Sequence, residues 1–208
     1  MTLATNPRHR RRAAANSGGA AGNERLTAMT GAVLLALFAA EGLTILRIHR
    51  LLTLHFFLGM LLLGPVALKC ASTGYRFARY YTGSGPYVRK GPPALPMRLL
   101  GPLVMATSLG VLGTGVMLAV VGPGNGQWLF LHKATFAAWF GAMTIHVLVY
   151  APRLPRLLAG PVARRTAAVI GGRGARWLLL AGALACGLLI ALATVHLTGR
   201  WENGFIGG

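Results

Sequence analysis

Five apolar runs, each close to the roughly 20 residues a helix needs to cross about 30 Å of hydrocarbon, constrain this chain more than any other feature. They cover approximately Leu26–Leu46, Leu51–Ala71, Met97–Val121, Trp128–Tyr150 and Trp177–Leu197. Inside a bilayer the backbone must satisfy its own hydrogen bonds, and the strands of a membrane barrel would alternate apolar with polar residues, which these runs do not. The expected fold class is therefore all-α, a bundle of about five transmembrane helices.

Composition closes other routes. With 54% apolar and only 12% charged residues, the chain cannot clothe a core of this size in a water-facing shell. It has no Asp and only Glu24, Glu41 and Glu202 against 21 Lys and Arg, which argues against paired-carboxylate hydrolysis, calcium loops and carboxylate-rich metal sites. A net charge of +18 would suit nucleic acid, but the basic residues punctuate apolar stretches instead of interleaving with aromatics on an amphipathic surface. No nucleic-acid partner is expected.

Topology accounts for the charge better, because cytoplasmic loops keep an excess of Lys and Arg. With five crossings, the N-terminal tail, the second-to-third connection and the fourth-to-fifth connection share one side and hold seventeen basic residues. Arg47, Arg50, Lys133 and Arg200 remain at or near the other. The expectation is a multi-pass protein of the cell inner (cytoplasmic) membrane, N-terminus cytoplasmic and C-terminus outside. Residues 1–25 are polar, small and basic and read as a disordered tail, 26–198 as the transmembrane domain and 199–208 as a short outer tail.

Ionisable side chains within spans are costly and mark candidate sites: here Glu41, His55, His132, His146 and His196. His132 and His146 are fourteen residues apart, which returns them to within roughly 40° of one another and about 21 Å apart along a helix. Phe136, Trp139 and Met143 share that face, offering aromatic and thioether packing to a flat macrocycle, or ordinary helix-packing surface. His55 and His132 each fall about five residues inside the outer boundary of their helices, the equal depth that a haem b with two axial imidazoles requires. Gly59, one turn after His55, would let a ring or another helix approach the backbone. Arg47, Arg50 and Lys133 stand at the mouth of this site, where haem propionates would need cationic partners. Glu41, in the same layer, would orient an imidazole, pair with Arg47 or Arg50, or relay protons, and His196 is a rival ligand.

The His55, His132 and His146 pattern resembles the membrane cytochrome b subunits of respiratory oxidoreductases, such as the gamma subunit of formate dehydrogenase. The resemblance implies b haems carried between helices two and four, with electrons passing between a redox partner subunit and quinone. Helix one has no histidine at its inner end to pair with His146. The carry-over is therefore one haem b, ligated by His55 and His132, with His146 a quinone-site residue. The inner connection, Gly74 to Pro93, is also similar to that of small actinobacterial membrane proteins of undefined role. Its alternating Arg and Tyr would lie against anionic lipid headgroups. It contains no phosphate-cradling G-x-x-x-x-G-K. Helix three carries Gly101, Gly110, Gly113 and Gly115, suited to close helix packing or to a slot beside a cofactor. The alternative to an electron-transfer subunit is a haem-free membrane anchor or assembly protein.

Overall fold

The computed structural model describes residues 7–89, 91, 95–153 and 172–201. Among them every regular element is helical: α1 (Pro7–Ile45), α2 (Ile48–Tyr81), α3 (Gly85–Arg89), α4 (Leu95–Val121), α5 (Gly126–Tyr150) and α6 (Arg173–Thr194), with short 3-10 turns at Ala151–Arg153 and Val195–Thr198. Four segments are long and apolar enough to cross a membrane: Gly19–Ile45, Ile48–Tyr81, Met97–Val121 and Arg173–Trp201. The chain is thus a multi-pass membrane protein by length and composition. Helix α5 has 25 residues, enough to span, but Gln127, His132, Lys133, Thr135 and His146 dilute its apolarity and it is not among the four.

Packing radiates from α2, which lies against α1, α4 and α6, while α5 packs along α4. The tightest approach is between α2 and α6. A Cβ built on Gly64 would lie 2.0 Å from the carbonyl oxygen of Ala183, and one on Gly187 would lie 2.2 Å from that of Leu61. Pro65, buried inside α2, explains the second contact. Having no N–H, it leaves the carbonyl four residues earlier, that of Leu61, without its helical donor. The freed oxygen faces Gly187, where a Cα–H can approach it. Since lipid supplies no hydrophobic drive between helices, backbone contact of this kind is what van der Waals packing can use.

Two expected boundaries shift. From Gly19 onward α1 is packed, so the bundle begins before Leu26: the amide Nδ2 of Asn23 donates to Ser72 O at 2.9 Å and the Thr27 hydroxyl to Ser72 Oγ at 3.1 Å. Polar small residues hold this end of α1 where apolar area could not. Lys69, one of the basic residues assigned by charge to the second-to-third connection, lies within α2, its ammonium donating to Thr27 O at 2.7 Å and resting over Gly31. Lys90, Arg156, Arg164, Arg165 and residues 202–208 lie outside the described residues.

Candidate functional site

Two helical hairpins, α1–α2 and α4–α5, each present one imidazole to the other. The first reverses through Leu46 and Arg47, and Leu51 departs from helical geometry (φ −115°, ψ 18°), so regular winding of α2 starts late. His55 is thereby set beside the last turn of α1. Thr44 Oγ1 stands 2.9 Å, and Glu41 Oε1 3.0 Å, from His55 Nδ1. The second hairpin turns at Gly122, whose positive φ of 81° suits glycine, and Asn125 caps α5 by accepting from the Trp128 amide. There Thr114 Oγ1 on α4 stands 3.1 Å from His132 Nδ1 on α5.

Both threonine hydroxyls also reach backbone carbonyls, Thr44 that of Glu41 and Thr114 that of Gly110 at 2.8 Å. A hydroxyl that gives its one proton to the backbone accepts from the imidazole, an arrangement that leaves Nε2 with its lone pair.

The rings of His55 and His132 lie 6.5 Å apart between centroids at an interplanar angle of 77°. Two neutral imidazoles brought this close could hold a haem iron between them. Among the described residues no group of three or more His, Cys, Asp or Glu stands together as a metal cage.

Other expected site residues are placed as follows. Glu41 contacts His55 and not Arg47 or Arg50, and its second oxygen, Oε2, is buried with no partner. Gly59 makes room for Glu41: a Cβ there would lie 3.4 Å from Oε1. Gly115 flanks His132, 3.3 Å from its Cε1 by the same construction, whereas Gly113 faces open space. Arg47, Arg50 and Lys133 are exposed, and among the described residues none of the three forms an ion pair. His196 is exposed.

The structure does not add His146 to the pair. Its ring lies 4.7 Å from that of Tyr150, and its Nδ1 is buried without a partner. The aromatic stripe between is taken up by helix packing: Trp139 donates to Ser108 Oγ at 2.9 Å and meets Phe38 at 4.7 Å, while Met143 packs on Leu100, Val104 and Ala142. Thr44 and Thr114 were missed from sequence, although a hydroxyl inside a span, obliged to find partners, is the signal that would have found them.

No protein-family model matches this chain, and neither curated proteins nor solved structures provide a significant match.

Proposed function

We propose that this protein is a haem b-binding electron-transfer subunit of a membrane redox complex, with His55 and His132 as axial ligands of one haem. The observation that supports it is the pair of imidazoles, each with Nδ1 against a threonine hydroxyl, 6.5 Å apart and brought together from separate hairpins. Haem, when bound, supplies reversible one-electron transfer. The chain's own residues hold the site: Thr44 and Thr114 hold the rings at Nδ1, Glu41 orients His55, and Arg47, Arg50 and Lys133 lie at the same end to meet carboxylates. Helix α5 is on this reading the fifth crossing, and its polar residues are those of the site. His146, with its unpaired Nδ1, would meet a quinone carbonyl, and a partner subunit would exchange electrons with the site. The reduced-minus-oxidised absorption spectrum of purified protein tests the reading. Without b-type bands in haem-supplemented protein, the chain is better described as a haem-free anchor.

Glu41 should matter to cofactor retention because its carboxylate holds the ligating ring from behind. Glu41→Ala is expected to weaken haem binding by about 10- to 100-fold, with Glu41→Gln restoring most of it. Haem transfer to an apo-globin acceptor measures this, and equal transfer rates from all three proteins would remove Glu41 from the site.

Orientation follows the basic asymmetry: N-terminus in the cytoplasm, C-terminus outside, in the cell inner membrane. Fusion reporters after residues 85 and 165 are expected inside and one after residue 124 outside. A reporter pair at 85 and 124 that reads the same side overturns both the orientation and the placing of α4 as a single crossing.

A further inference from the structure

Helix α2 is far longer than a membrane requires. Its 34 residues extend about 51 Å, and roughly 20 of them from Leu51 suffice for the hydrocarbon, which ends near Ala71. Tyr75 to Tyr81 then lie about 6 to 15 Å further along the axis, in and just beyond the headgroup layer. At this depth the chain makes a hook. Gly83, at a φ of 75°, turns the backbone; Ser84 N donates to Arg79 O at 3.0 Å; and α3 folds back against α1 and α2. The Arg79 guanidinium donates to Ser84 Oγ at 3.0 Å and locks the turn. Tyr87 is buried beneath it, edge-on to the exposed Tyr75 with centroids 6.1 Å apart.

Cationic charge within the hook outnumbers the carboxylates near it. The sequence has no carboxylate between Glu41 and Glu202, and on the neighbouring α1 only Glu24 lies at this end, beside the Asn23 that bonds Ser72. One carboxylate cannot offset Arg76, Arg79 and Arg89 together. Arg76 is half-buried, and both it and Arg79 are close enough to act electrostatically on the Tyr87 phenol, whose own acidity burial weakens. Phe77 and Tyr81, stacked at 4.4 Å, stay exposed on the same overhang, as amphipathic rings do at a membrane surface.

We propose that this hook binds the phosphate of an anionic phospholipid, gripped by Arg76 and Arg79 beside the Tyr75 phenol, with Phe77 and Tyr81 against the glycerol and upper acyl chains. The site is independent of the electron-transfer reading. It differs from a general basic surface in being built: the turn and the Arg79–Ser84 bond hold one guanidinium in place, and the half-buried Arg76, one helical turn earlier, sets a second beside the buried Tyr87.

Purified full-length protein in a neutral detergent is titrated with phosphatidylglycerol, phosphatidylcholine or inorganic phosphate, and bound lipid is counted by native mass spectrometry alongside the thermal midpoint. Phosphatidylglycerol is expected to bind roughly 10- to 30-fold better than phosphatidylcholine, from two arginines near one phosphate, and to raise the midpoint. Arg76→Gln/Arg79→Gln protein should lose that preference while Arg200→Gln, at the other end of the bundle, keeps it. Equal binding of the two lipids by the unaltered chain overturns the proposal even if the double variant does not fold. An undiminished preference in a folded double variant does so too, and a midpoint shift by inorganic phosphate equal to that of the lipid would make this a free-anion site instead.

Discussion

Alanine at His55 or His132 is expected to abolish the b-type absorption bands of the haem-loaded protein, while His49→Ala leaves them unchanged. Both tested rings have Nδ1 against a threonine on the adjacent helix, which leaves Nε2 for a metal. On the proposed reading, losing either histidine would remove one of the two residues that hold the haem iron and, with it, the bands. His49 is exposed in the first turn of α2, six residues before His55, which makes it a control for histidine content. Thermal midpoints of the apo-proteins should fall more for His55→Ala, which leaves the buried Glu41 carboxyl without its partner, than for His132→Ala. Bands that survive in either variant would remove that histidine as a ligand, and survival in both would return the site to an ordinary polar contact between hairpins.

The largest effect on stability is expected from a single methyl group. Gly64→Ala or Gly187→Ala would set Cβ within about 2 Å of a backbone carbonyl oxygen on the facing helix, and backbone cannot step aside as a side chain can. Overpacking typically costs about 1–3 kcal/mol and more where the neighbour is rigid, so α2 and α6 should separate. The measurement is the thermal midpoint and the monodispersity of detergent-purified protein. Gly113→Ala is the counterpart: nothing lies within 4 Å of its Cβ position, and alanine in mid-helix gains up to about 1 kcal/mol over glycine. Similar midpoints for all three variants would mean that the α2–α6 crossing is not as close as described.

Much of this architecture can be read from residue type alone, and what cannot be has a common cause. Apolar length identifies the helices well, since a span is a property of one segment. It falls short at α5, where the residues that build a site are those that lower apolarity. The depth match between His55 and His132 is also legible, because depth follows from counting inwards from a helix end. Partner choice is not. Gly64 and Gly187 carry no mark that separates them from Gly110 or Gly113, and the glycines of α4 drew attention because they cluster. Which glycine touches backbone depends on the rotation of two helices about their axes, a quantity set by every other contact. Lys69 shows the same limit: a cation near a helix end reads as topology, yet the amide and hydroxyl groups of Asn23, Thr27 and Ser72 draw it inside. Glu41 was given three roles from sequence, and only the turn at Leu46 and Arg47 and the late winding of α2 decide that it meets His55.

The α2–α6 crossing also bears on how the chain is made. Gly64 leaves the ribosome about 120 residues ahead of Gly187, and at roughly 5–20 residues per second the delay is about 6 to 25 s. Throughout that interval α2 is already in the bilayer with a bare glycine groove and a carbonyl released by Pro65, both facing lipid or the insertion machinery. Hydrocarbon offers that carbonyl no donor, so the nascent bundle holds an unsatisfied group until α6 arrives. Truncation before α6 therefore leaves a chain whose earlier helices are all present but whose central helix has lost its closest partner, the kind of intermediate that membrane quality control degrades.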